Sequence, residues 1–162
     1  MKAAIVFYSM SGNTEYVAKC ISEKINADII RLIPKKEYPN TGFKKFFWCG
    51  KSAVMGEKPA LENYEFNADL YDTIIFGTPV WASCYTPPLR TFINENADKI
   101  KNKKFAAFTC FSGGGADKAI EKLKKSLDLE KFEAELILID PKDKQNEENI
   151  NRIEEFCKKI EG

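Results

Sequence analysis

The sequence predicts an α/β fold, a three-layer, doubly wound sheet of five parallel strands. Two observations carry this expectation. Five short apolar runs, each near-continuous in apolar character, recur along the chain. Between them lie segments whose apolar residues repeat with helical spacing. Strands that alternate with helices form βαβ units, and a parallel sheet is then covered by helices on both faces.

The runs are Ala3–Tyr8, Ile29–Ile33, Thr73–Phe76, Phe105–Thr109 and Leu136–Ile139. Most are rich in β-branched or aromatic residues, the mark of strands buried on both faces. Arg31 interrupts the second run, which makes it the expected edge strand. Helical stripes follow at Val17, Cys20, Ile21 and Ile25; at Leu89, Phe92, Ile93 and Ala97; at Ala116, Ala119, Ile120, Leu123 and Leu127; and at Ile150, Ile153, Cys157 and Ile160. A weaker pattern, Phe43, Phe46, Phe47 and Gly50, lies in the one long stretch without a clear strand, residues 34–72. Its run Phe43-Lys44-Lys45-Phe46-Phe47-Trp48 reads as a helix with one buried face rather than a binding patch. Right-handed crossovers leave few topologies, and 2-1-3-4-5 is the economical strand order for five strands. With no repeat and no Gly- or Pro-rich linker, residues 1–162 read as one domain.

Composition excludes several function classes. Apolar residues make up 44% and charged residues 30%, a globular balance. The 25 basic and 24 acidic residues leave a net charge of +1, which argues against a nucleic-acid partner. No apolar run reaches the ~20 residues that span a bilayer. The N-terminal apolar stretch is too short for a signal peptide and has no cleavage pattern, so a cytoplasmic location is expected. The five cysteines, Cys20, Cys49, Cys84, Cys110 and Cys157, are odd in number and widely spaced, which suggests reduced thiols rather than disulfides or a zinc site. Histidine is absent, and with it every Ser-His or Cys-His mechanism. Chemistry here calls for a borrowed reactive group, which a cofactor would supply.

The end of the first strand carries the strongest local signal. Ser9-Met10-Ser11-Gly12-Asn13-Thr14 joins the strand to the helix bearing Val17 and Ile21. It offers three hydroxyls, an amide side chain and the free N–H groups of a helix N-terminus, a setting that favours a phosphate. Gly12 lets the backbone approach a ligand. No Lys of a Walker loop and no GxGxxG fingerprint is present, so a neutral loop for a mononucleotide's phosphate monoester is the better reading. Ligands in such sheets lie outside the carboxyl ends of the strands. Two further strand ends should therefore flank this loop: Thr78-Pro79-Val80-Trp81-Ala82 and Cys110-Phe111-Ser112-Gly113-Gly114-Gly115. Trp81 offers a flat surface to a flat ring, Pro79 stiffens its loop, and the glycines let backbone amides approach ring heteroatoms.

The run Ile5 to Ile21, IVFYSMSGNTEYVAKCI, resembles the N-terminal signature of the flavodoxins, and the resemblance extends over nearly the whole chain. It implies the 2-1-3-4-5 order that flavodoxins have. It also implies a non-covalent FMN whose phosphate rests on residues 9–14. Thr78-Pro-Val-Trp-Ala and the Ser-Gly-Gly loop resemble a subgroup with a Pro-x-Trp loop, where these segments hold the isoalloxazine. The near-neutral charge differs from typical acidic electron carriers, and no Tyr stands in the fourth-strand loop; Tyr85 and Trp48 are the candidates for a second aromatic on the ring. The expected function is electron transfer between transiently docked redox partner proteins, by a monomer or weak dimer. An NAD(P)H-dependent FMN or quinone reductase or nitroreductase is the alternative, and a fold kept without its flavin the third. The absence of acid/base residues beside the three loops favours the carrier.

Cys84 to Arg90 spells C-x5-R, the shape of a tyrosine-phosphatase loop. Pro87 and Pro88 remove two of the N–H donors such a loop needs, and fit better as a helix start.

Overall fold

Where the sequence alternates, the structure alternates with it. The computed structural model describes residues 1–162. β1 (Ala3–Phe7) leads through α1 (Asn13–Ile25) to β2 (Asp28–Arg31). After α2 (Gly42–Val54) and a 3-10 turn (Ala68–Leu70) come β3 (Thr73–Pro79), α3 (Pro87–Ile100), β4 (Lys104–Phe111), α4 (Ala116–Ser126), β5 (Glu135–Ile139) and α5 (Glu147–Glu161). Every strand pair is parallel, and the order is β2-β1-β3-β4-β5, as the sequence leads one to expect.

Parallel register explains the apolar runs. Ile5 stands between Ile29 and Ile75, and Val6 between Ile30 and Phe76. Successive side chains point to opposite faces. Val6, Ile74, Phe76 and Ala107 pack under Leu89 and Phe92 of α3 and Ile120 and Leu123 of α4. Ile5, Phe7, Ile75 and Phe108 pack under Val17 and Ile21 of α1 and Ile153 and Phe156 of α5. Both faces are dry, so neither alternates with polar residues.

The edges are visible in exposure. β2 pairs with β1 alone, and Ile29 and Ile33 are exposed, as an edge strand permits. β2 ends at Arg31, although the Leu32 N–H still donates to the Phe7 carbonyl at 2.8 Å. In α5 the buried stripe is Ile153, Phe156, Cys157 and Ile160; Ile150, in the first turn, is exposed instead of buried. In α3 Ala97 is exposed and Asn96 is buried, its amide donating to Phe92 O at 2.9 Å and Tyr64 Oη at 3.0 Å.

α2 forms where the weak pattern lies, but it turns the other way. Phe43, Phe46 and Phe47 are exposed, Phe43 at 84%, and the small residues Cys49, Ser52 and Ala53 face inward. Small side chains let the helix lie close against Tyr8 and Trp81, with which Cys49 and Ala53 form a separate apolar cluster. Polar anchors fix this orientation: Ser52 Oγ donates to Glu57 Oε2 at 2.6 Å, and Arg90 Nη2 donates to Ala53 O at 3.4 Å. Arg90 also lies 4.8 Å from the Tyr85 ring centroid, and α3 begins at Pro87. C-x5-R is thus a helix start whose arginine is engaged with α2 and Tyr85. All five cysteines are free thiols.

Gly77, opposite Phe108 in the β3–β4 pair, shows how tightly the sheet is covered. A Cβ there would lie 2.3 Å from Phe108 Cζ. Gly77→Ala is expected to lower the unfolding free energy by about 1–3 kcal/mol, the usual range for overpacking. Urea denaturation checks this, and an unchanged midpoint would show that the ring moves aside without cost.

Candidate functional site

Parallel strands put all their carboxyl ends on one edge, and three loops meet there. A cleft of about 460 Å³ opens between them. Met10, Ser11, Asn13 and Thr14 form one wall; Pro79, Val80, Trp81 and Ala82 a second; Cys110, Phe111, Ser112, Gly113 and Gly114 a third. Lys45, Phe46, Cys49 and Gly50 of α2, and Asp140 beyond β5, complete the lining.

Four residues expected at the site do not line this cleft: Ser9, Gly12, Thr78 and Gly115. Each shapes a wall from behind. Ser9 Oγ accepts the Gly12 N–H at 3.2 Å and closes the first loop, and Ser9 itself faces a neighbouring 160 Å³ hollow beside Arg31 and Tyr38. Gly12 caps α1 at φ 93°, a left-handed conformation that suits glycine. Thr78 is fully buried: its Oγ1 accepts the Thr86 N–H at 3.0 Å and donates to Pro79 O at 2.8 Å, tying β3 to the start of α3. Gly115 caps α4 at φ 83°, and a Cβ there would lie 2.2 Å from Ser83 Oγ. The second and third walls therefore interlock at this glycine.

The second wall is a tight hairpin. Trp81 and Cys84 exchange both N–H···O bonds at 2.9 Å, and Ala82 and Ser83 between them have φ of 50° and 58°. Two consecutive positive values at non-glycine residues mark stored strain at the cleft rim. Trp81 is 9% exposed. Its ring packs edge-on against Tyr8 at 5.5 Å and Tyr38 at 5.0 Å between centroids, so most of its surface is already engaged. Neither Tyr85 nor Trp48 lines the cleft: Tyr85 is in the core, and Trp48 packs against Phe47 at 5.7 Å. The aromatic that α2 presents to the cleft is Phe46, 76% exposed.

Backbone donors dominate the chemistry of the walls. The N–H groups of Met10 and Ser11 find no acceptor in the protein, nor do those of Ser112, Gly113, Gly114 and Gly115. The first turn of α1 adds its own unpaired N–H groups and the positive end of its dipole. Such a bank suits an anion at residues 10–14, and carbonyl or imine acceptors of a ring at 112–115. The Asn13 side chain is occupied elsewhere: its Oδ1 accepts the Lys142 N–H at 2.9 Å and its Nδ2 donates to Asp143 Oδ2 at 3.3 Å. It ties the first loop to the segment after β5.

The displaced pKa values in the cleft move away from neutrality. Burial pushes the Cys110 thiol up to about 12, and burial also raises Cys49. Both thiols stay protonated. Asp140 is held below its ordinary value, first by the Ser112 hydroxyl that donates to Oδ1 and then by Lys144, 2.9 Å from Oδ2. None of these groups is poised as a general acid or base near pH 7.

Lys45, Phe46, Cys49, Gly50 and Asp140 were not legible as site residues. Lysine and phenylalanine on all sides of α2 were the available signal, because a helix with a single buried face would not carry four aromatics in six residues, from Phe43 to Trp48. For Asp140 the signal was position alone, one residue past a strand end.

The sequence profile of the flavodoxin family matches residues 2–152, and the chain belongs to that family. The sequence matches none of the curated proteins with which it was compared. Among solved structures, the fold is similar to a flavoprotein of Lactobacillus acidophilus NCFM in complex with FMN (TM-score 0.70, 18% identity, covering 88% of this chain and 95% of that one). It is also similar to oxidised flavodoxin 1 of Bacillus cereus (0.60, 18%, 99% and 97%) and to two-electron reduced Megasphaera elsdenii flavodoxin (0.60, 17%, 97% and 96%). At these identities the likeness is one of fold.

The bond between Ser112 and Asp140 gives a pH test. A carboxyl depressed by folding contributes stability above its ordinary pKa of about 3.9, and loses it as pH falls through the lower folded value. Ser112→Ala is expected to move the Asp140 titration up toward the ordinary value, read from the carboxyl ¹³C shift. A titration that stays in place would show that the hydroxyl does not hold the charge.

Proposed function

We propose that this flavodoxin, an FMN flavoprotein by family, seats FMN in the cleft between residues 10–14, 79–82 and 110–114 and carries electrons between partner proteins that dock transiently. The observation that carries the reading is the pairing of two unsatisfied backbone N–H banks, at Met10–Ser11 and Ser112–Gly114, on two walls of one cleft. Its volume falls in the range of small-molecule sites, about 300–1,000 Å³.

The donor set fits each part of the group. A phosphate monoester meets the N–H groups of residues 10–14 and the hydroxyls of Ser11 and Thr14. Thr14 is almost fully buried at the cleft floor, so its hydroxyl is pre-oriented rather than recruited. The N–H groups of 112–115 meet acceptors on the polar edge of a ring. Met10, Pro79, Val80 and Phe46 supply apolar surface to its faces. Bound there, FMN supplies one- and two-electron redox chemistry. The chain contributes binding, orientation and exclusion of water. Its cleft thiols stay neutral, and Asp140 stays ionised, so no side chain with a displaced pKa competes for protons near pH 7.

Thr14→Ala is expected to weaken FMN binding by about 1 kcal/mol, the net value of a lost hydrogen bond. Quenching of flavin fluorescence reads this, and unchanged affinity would remove Thr14 from the phosphate contacts. The carrier role is checked by a visible spectrum of purified protein before and after NAD(P)H. A carrier gives a yellow protein that NAD(P)H alone bleaches slowly or not at all, and that takes up electrons one at a time from a chemical reductant. Rapid bleaching with turnover of a quinone would overturn the carrier role in favour of a reductase. A protein that stays colourless after FMN is added would overturn the cofactor assignment.

A further inference from the structure

We propose that Lys142 supplies, from the segment after β5, the cation that the phosphate loop itself lacks. The inference rests on the placement of FMN phosphate at residues 10–14. Residues 9–14 contain no Lys or Arg, so within the loop only amide dipoles and hydroxyls face the phosphate. The β5–α5 segment is laid over this loop by two bonds to Asn13, one from the Lys142 N–H at 2.9 Å and one to Asp143 Oδ2 at 3.3 Å. The Lys142 side chain then runs across Gly12, at the rim of the loop rather than in the cleft lining, which includes neither residue. Its Nζ lies 3.1 Å, and its Cδ 3.5 Å, from the point where a Cβ on Gly12 would stand. Glycine at 12 thus serves two ends, the φ of 93° and the room for this lysine.

The Lys142 ammonium is in no salt bridge. Of the cations on and around this end of the sheet, Lys144 pairs with Asp140 at 2.9 Å, and Lys19 and Arg31 share Glu15 at 2.8 and 2.9 Å, whereas Lys45 of α2 lines the cleft without an ion pair. Asp143, next to Lys142 in sequence, accepts from Asn13, and Glu15, whose charge Lys142 also feels, is bonded to Lys19 and Arg31. An ammonium at Gly12, the residue that caps α1, adds to the positive potential of that helix N-terminus. Lysine acts on phosphate as a flexible point charge, and a side chain with four methylene groups adapts to a phosphate at the loop. Its contribution should depend on the phosphate and on ionic strength, and not on the isoalloxazine.

Titration of the full chain with FMN and with riboflavin, which lacks the phosphate, tests this. Lys142→Gln is expected to raise the FMN Kd roughly tenfold, the lower end of a charge-assisted hydrogen bond, while riboflavin affinity stays within about twofold. The rise of FMN Kd with salt should flatten in the same variant. Lys142→Arg should restore most of the FMN affinity, and Lys158→Gln, near the far end of α5, should leave both flavins unaffected. Equal losses for FMN and riboflavin, no loss for either, or tighter FMN binding would each overturn the proposal. Wild-type protein that binds neither flavin would instead overturn the cofactor reading on which it rests.

Discussion

The parallel pairing of β1 with β3 is the constraint on which the rest depends. β2 lies to one side of β1, and β3, β4 and β5 lie to the other. The chain therefore reverses its direction of travel across the sheet at this pair. α1 packs on one face with α5, and α3 and α4 pack on the opposite face. The loops leaving β1 and β3 diverge to opposite faces, and the gap between them cannot be filled by either helix. A crevice follows from topology before any side chain is chosen. The side chains then hold the pair in register: Ile5 against Ile75 on one face, Val6 against Phe76 on the other.

Unpaired backbone N–H groups reach that crevice from two of its loops. Two left-handed glycines, Gly12 and Gly115, begin the helices on either side of it. Each ends a loop with N–H groups left without acceptors, Met10 and Ser11 before Gly12 and Ser112 to Gly114 before Gly115. A strained pair, Ala82 and Ser83, carries the wall between them. The polar side chains nearest the loops, Asn13, Ser9 and Thr78, spend their hydrogen bonds on loop architecture. The protein thus presents fixed dipoles to a ligand, and the Cys49, Cys110 and Asp140 groups at the cleft are displaced away from neutrality, a suitable environment for a cofactor that brings its own chemistry.

The strands and the three loops were legible because each rests on short-range pattern: apolar runs, a loop sandwiched between strand and helix, a glycine cluster after a strand. The strand order came instead from the handedness of crossovers and from the resemblance carried by residues 5–21. The orientation of α2 was not. Phe43, Phe46 and Phe47 look like a buried stripe by spacing, yet Cys49, Ser52 and Ala53 face the protein. Orientation was decided by the close approach of small residues to Trp81 and Tyr8, and by the partners of Ser52 and Ala53, which lie up to 37 residues away. The same long-range origin hid the role of the β5–α5 segment. Nothing near Asn13 in sequence announces that its side chain is bound to Lys142 and Asp143, about 130 positions on.

If unpaired backbone amides on the loops before α1 and α4 receive FMN, their resonances move when it binds. Amide chemical shifts recorded while FMN is added to the ¹⁵N-labelled protein read those groups directly. The largest changes are expected on the amides of residues 10–14 and 112–115, saturating at one FMN per chain, with riboflavin reproducing those at 112–115 but not those at 10–14. Changes centred elsewhere, or none at all, would contradict this placement.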